Sequence, residues 1–127
     1  MSKSGIDKAE KIVIFATHGP EDPERASLPF VMGNAALVMD AKATVVLQGT
    51  GVTLAKKGCY EHVFAAGLPS LQALVHDFLD QGGKIWVCVP CIKERRITPE
   101  MLVDEAETTA AGKVIVAVLE ADAVLNY

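Results

Sequence analysis

The chain has 127 residues, the length of one domain, and half of them are hydrophobic while only 6% are aromatic, so Val, Ala, Leu and Ile must fill its core. A formal net charge of −4 argues against non-specific nucleic-acid binding. No apolar stretch reaches the roughly 20 residues that span a bilayer, and three cysteines make a poor disulfide framework.

Residues 1–10 read as a polar tail without the apolar centre of a signal peptide, and 11–127 as the folded domain. A cytoplasmic, soluble protein is expected. Lys11-Ile-Val-Ile-Phe-Ala-Thr17 is a continuous apolar run, as in a parallel strand covered on both faces. His18-Gly-Pro-Glu-Asp-Pro23 is a loop. Ser27 suits the N-cap of a helix over about 28–40, with Pro29 in its first turn. A start at Pro23 capped by Asp22 is the alternative, but then Pro29 falls inside the helix and would kink it. Ala43–Gln48 is a second strand, Gly49-Thr-Gly51 a tight loop, and Val52–Lys57 a short helix stopped by Gly58.

Leu71, Leu74, Val75, Phe78 and Leu79 recur at helical spacing after Pro69-Ser70, and Gly82-Gly83 ends that helix. Lys84–Val89 is a third strand, running into Cys88-Val-Pro-Cys91 and the charged Lys93-Glu-Arg-Arg96. Thr98-Pro99 looks like a cap and first helical position. Glu105–Thr109 is a weak strand. Val114–Val118 fits either a strand or one stripe of a helix, with Val124–Tyr127 as a last strand in the second case. Alternating elements predict an α/β fold, a single doubly wound domain on a mainly parallel five-stranded sheet with helices on both faces.

Open parallel sheets bind ligands beyond the carboxyl ends of their strands. Three segments fall there: His18-Gly19, Gln48-Gly49-Thr50-Gly51 and Cys88–Cys91. Cys88 sits where a strand ends and a helix begins, so unpaired N–H groups and the helix dipole favour its thiolate, the reactive form. Lys93, Arg95 and Arg96 push the same way. Cys88 is therefore the candidate nucleophile and Cys91 its partner or resolving thiol. His18, Gly19, Gly49, Thr50, Gly51, Lys93 and Arg95 are the candidate substrate-binding residues. Cys59, His62 and His76 read as structural or surface residues. One Cys-x-x-Cys without a second ligand pair gives no reason to expect a metal, no cofactor is expected, and no Gly-x-Ser-x-Gly is present.

Gly19-Pro-Glu-Asp-Pro-Glu24, Gln48-Gly-Thr-Gly-Val-Thr-Leu-Ala-Lys-Lys-Gly58, Gly67-Leu-Pro69, Cys88-Val-Pro-Cys-Ile-Lys-Glu-Arg-Arg-Ile-Thr98 and Glu120-Ala-Asp-Ala-Val-Leu-Asn-Tyr127, in that order, resemble the DsrE/DsrF-like proteins, small sulfur-relay subunits. The resemblance implies a doubly wound domain that assembles as homotrimers or homohexamers. It also implies that the tail reads helix over about 112–121 and then strand. The cysteine that carries sulfur as a persulfide in such relays matches Cys88. Cys91 has no counterpart in many relatives, and many have Gly where this chain has Arg96.

A mean hydropathy of +0.29 agrees with apolar subunit contacts. The expected function is a persulfide carrier that takes sulfane sulfur from a donor protein or small compound and passes it to an acceptor thiol. The alternatives are dithiol–disulfide redox through Cys88 and Cys91, and a non-enzymatic module that binds a small ligand.

Overall fold

A computed structural model describes residues 10–127. The expected polar tail lies outside them except for Glu10, whose carbonyl accepts from Lys42 N–H at 2.8 Å. The chain runs β1 (Lys11–Ala16), α1 (Pro23–Val38), β2 (Lys42–Leu47), 3₁₀ segments at Gly49–Ala55 and Tyr60–His62, and α2 (Leu71–Asp80). It continues with β3 (Lys84–Cys88), α3 (Val89–Glu94), a 3₁₀ turn at Pro99–Met101, β4 (Ala106–Thr109), α4 (Ala111–Glu120) and β5 (Ala123–Asn126). The five strands form one parallel sheet in the order β4-β3-β2-β1-β5.

Strand order and handedness fix where the helices lie. From β1 to β4 each crossover steps the same way, so right-handed connections place α1 and α2 on one face. The step from β4 back to β5 reverses direction and crosses the whole sheet, so α4 must lie on the other face. The side chains obey this. Ile14, Val45, Leu47, Ile85 and Val87 join Phe30, Leu71, Leu74 and Phe78 in the larger core. Val13, Val46 and Trp86 alternate to the opposite side and meet Val114 of α4. Phe30 and Phe78 lock α1 to α2 edge to face, with ring centroids 5.5 Å apart.

Three local expectations are corrected. The first helix starts at Pro23, capped by the Asp22 carboxylate accepting from Arg25 N–H at 3.1 Å, and not at Ser27. Ser27 is fully buried one turn inside, where its hydroxyl donates to the Pro23 carbonyl at 2.8 Å. Pro29 removes the partner of the Arg25 carbonyl, and burial of the Pro29 ring offsets the loss. The expected loop 49–51 and helix 52–57 are a single 3₁₀ segment, Gly49–Ala55. Thr98 precedes only a 3₁₀ turn and makes no side-chain cap. The ambiguous stretch 114–118 is helical, because Val114, Ala117 and Val118 must share one face to cover the sheet.

Candidate functional site

The site is assembled at the carboxyl edge of the sheet from the turns after β1, β2 and β3. Gly51 lies so close to the β1 backbone that a Cβ there would meet the Ala16 carbonyl carbon at 2.9 Å. Gly49 has φ +55, in the left-handed region that favours glycine. The turn after β1 folds down on the same segment: a Cβ on Gly19 would meet the Thr50 carbonyl oxygen at 2.8 Å. Thus Gly19, Gly49, Thr50 and Gly51 form one wall in which backbone touches backbone.

Cys88 ends β3 and is the N-cap of α3, and Cys91 follows within the first turn of that helix. Their Sγ atoms are 2.9 Å apart, within S–H···S hydrogen-bond distance, and both residues are partly buried. Gly49 N–H donates to Cys91 Sγ at 3.3 Å, tying the β2 turn to the dithiol. Arg95 Nη1 donates to the Cys91 carbonyl at 3.2 Å. Of the expected site residues, Gly49, Cys88, Cys91 and Arg95 are brought together.

His18 turns towards its own loop, with Nδ1 3.1 Å from Glu21 Oε2, while Glu21 Oε1 accepts from Gly19 N–H at 2.7 Å. Lys93 is exposed in the last turn of α3, at the end away from Cys88. Among the described residues no three metal-ligating side chains cluster.

The expected bias of Cys88 towards thiolate is reversed. Burial pushes its thiol up from the ordinary value, and the hydrogen bond with Cys91 adds to the rise; the Cys91 backbone N–H and the Arg95 charge pull down and lose. The reason is structural. A helix of six residues has little dipole to offer, and the adjacent sulfur favours holding a proton between the pair. Cys59 is also pushed up, by burial and then by Glu61, and Tyr60 likewise by burial, Glu61 and Glu105.

All three groups bind their protons more tightly when folded than when unfolded. The stability this gives is fully present below the unfolded thiol and phenol pKa values and is lost as pH rises through the folded ones. Urea midpoints should therefore hold near neutrality and fall in the alkaline range. A midpoint that rises there would contradict this assignment.

Two residues the sequence reading passed over line a cavity that shares Arg95 with the surroundings of the dithiol. Lys56 and Lys57, with Thr53, Gly58, Cys59, Arg95 and Ile97, line a cavity of about 420 Å³ that has three cations and no acid in its wall. Their signal was the adjacent lysine pair before Gly58. The chain folds them in by pairing Lys57 N–H with the Met101 carbonyl at 2.8 Å. A larger cleft of about 550 Å³ opens between β1, β2, β5 and α4, lined by Phe15, Gln48, Val114 and Tyr127 among others, but neither cysteine reaches it. Neither Cys88 nor Cys91 lines the smaller cavity either; its link to the dithiol is Arg95, which lines it and donates to the Cys91 carbonyl.

Known proteins share this framework. The chain is 34% identical over 109 residues to the uncharacterized protein MJ0760 of Methanocaldococcus jannaschii, covering 86% of this chain and 40% of that longer protein. It is 27% identical to the uncharacterized protein MK0008 of Methanopyrus kandleri, over 97% of this chain and 96% of the relative. Among solved structures, the ychN protein from E. coli superposes with a TM-score of 0.72 at 20% identity, over 93% of this chain and 99% of that one. MTH1491 from Methanobacterium thermoautotrophicum, a protein of unknown function, superposes at 0.75 with 13% identity and the same coverage. These likenesses establish the fold, and the model of the DsrE/DsrF-like family matches residues 10–127. With its parallel sheet, its strand-end cysteines and a family match over every described residue, the chain belongs to the DsrE/DsrF-like, sulfur-relay family.

Proposed function

We propose that the protein carries sulfane sulfur as a persulfide on Cys88, loading it from an anionic donor and passing it to an acceptor thiol. The observation that carries this reading is the Cys88–Cys91 pair, with sulfurs 2.9 Å apart at the rim of the sheet and Arg95 beside them. Cys88 holds its proton more tightly than an ordinary thiol, so loading should quicken as pH rises and the thiolate, the reactive form, becomes populated.

With thiosulfate as donor, the Cys88 thiolate attacks the outer sulfur. A Cys–S bond to that sulfur forms, its bond to the sulfonate sulfur breaks, and sulfite leaves with the electron pair. An acceptor thiolate then takes the outer sulfur and Cys88 is restored. Gly19, Gly49, Thr50 and Gly51 form the wall of the site, and His18 and Lys93 lie at its margin. Lys56, Lys57 and Arg95 attract the donor anion. The working form is a homo-oligomer.

Incubation with thiosulfate or polysulfide should add about 32 Da per sulfur to the wild type and nothing at this site to Cys88→Ser. Absence of any adduct with either compound and with a persulfidated protein donor would defeat the proposal. The short sulfur–sulfur approach also favours a second reading, dithiol–disulfide exchange. A Cys88–Cys91 couple poised near about −270 mV that reduces insulin, in a chain that takes up no sulfur, would select it.

A further inference from the structure

Loading Cys88 and handing its sulfur to an outside thiol leave Cys91 without a part. Yet Cys91 is a free thiol whose Sγ lies 2.9 Å from Cys88 Sγ, and the Gly49 N–H donates to it at 3.3 Å. A disulfide needs about 2.05 Å between sulfurs, so the pair stands about 0.9 Å from bonding distance. Cys88 caps α3 and Cys91 lies in its first turn. Pro90 between them has a fixed φ, so the turn that brings the sulfurs together is stiff.

We propose that Cys91 discharges the loaded Cys88 as hydrosulfide, so that the protein reduces sulfane sulfur to sulfide whenever no acceptor has taken it. This activity rests on the persulfide reading. A persulfide is a stronger acid than a thiol, so loaded Cys88 carries its outer sulfur as an anion. Cys91 Sγ attacks Cys88 Sγ, the inner sulfur. The Cys88–Cys91 bond forms, the bond to the outer sulfur breaks, and that sulfur leaves with the electron pair. It also takes the proton that Cys91 gives up, and departs as HS⁻. Two thiol sulfurs are oxidised and one sulfane sulfur is reduced. With thiosulfate, one dianion and the dithiol give sulfite, hydrosulfide, a proton and the disulfide.

Three features direct the attack to the inner sulfur. Cys88 Sγ is the atom in contact with Cys91, and the outer sulfur is one bond further out. The Gly49 amide steadies negative charge as it grows on Cys91 Sγ. Hydrogen sulfide is a stronger acid than an alkyl thiol, so hydrosulfide leaves faster than a cysteine thiolate. Because the attacker is already in place, an acceptor must reach the cargo before Cys91 does. The disulfide must then be opened by a dithiol reductant. The protein thus stands between a reaction that makes sulfane sulfur and one that supplies thiol reducing equivalents.

Reduced, desalted full-length protein, mixed with thiosulfate or a persulfidated protein donor under argon without reductant, tests this. Sulfide and protein mass are followed together. The wild type should first gain about 32 Da, then settle about 2 Da below its reduced mass as the disulfide closes, with about one sulfide released per protomer. In Cys91→Ser the adduct should persist, and free sulfide should stay at the level of Cys88→Ser. A wild type that keeps its adduct without releasing sulfide, an adduct that only moves to Cys91, or equal sulfide from Cys91→Ser would overturn this step and leave the carrier reading standing. A wild type that takes up no sulfur from either donor and releases no sulfide would overturn both.

Discussion

Gly51→Ala should destabilise the protein by about 3 kcal/mol or more, the high end of overpacking costs, and lower Tm by about 10 °C. The added methyl would be driven into the Ala16 carbonyl, where the obstacle is backbone of a central strand that has no freedom to turn aside. Relief requires the turn after β2 to lift from β1, which takes Gly49 away from Cys91. The variant should therefore lose both melting temperature and sulfur loading. Gly58→Ala is the control: its φ of +83 is strained for alanine, yet nothing lies within 4 Å of the added atom. That change should cost only about 1 kcal/mol and leave loading intact. Equal melting temperatures for the two variants would show that the close approach is not what demands glycine at 51.

Replacing Lys56, Lys57 and Arg95 together with alanine should weaken loading from thiosulfate about tenfold to a hundredfold. The donor is a dianion, and each cation lining the cavity contributes about 0.5–1 kcal/mol to its capture after screening. The same reasoning makes wild-type loading fall with added salt, while the triple variant should be nearly indifferent to it. Loading from an uncharged persulfide donor should change little, which separates capture of the anion from the competence of Cys88. If the variant loads thiosulfate as well as the wild type does, the cavity has no part in choosing the donor.

The sheet and the place of the cysteines are legible in the sequence for a physical reason. A parallel strand covered on both faces is apolar throughout, so β1, β2 and β3 stand out, and their order brings three turns to one edge. The start of α1 is not legible, because Asp22 and Ser27 both suit an N-cap and each is followed by a proline. Tertiary burial of Ser27 and Pro29 decides between them.

The protonation of Cys88 is misread for a different reason. Sequence shows the basic residues that follow, but not that α3 stops after six residues, that Lys93 falls in its last turn, or that Cys91 Sγ lies against Cys88 Sγ. Lys56 and Arg95 are far apart in sequence, and only the packing of α3 on the Gly49–Ala55 segment puts them around one cavity. Arg96, at φ +56, occupies a left-handed position just past the end of α3, where glycine is the natural occupant.

β5 pairs with β1, and Lys11 N–H donates to Asp122 Oδ2 at 2.8 Å across a separation of 111 residues. Closing so long a loop costs about 4 kcal/mol of chain entropy, charged against a ladder of only four residue pairs. The outer edge of the sheet is thus the zipper's last tooth: amides of β5 should trade their hydrogens for deuterium well before those of β2, and during refolding β1 stands with one flank bare until the rest of the molecule has set.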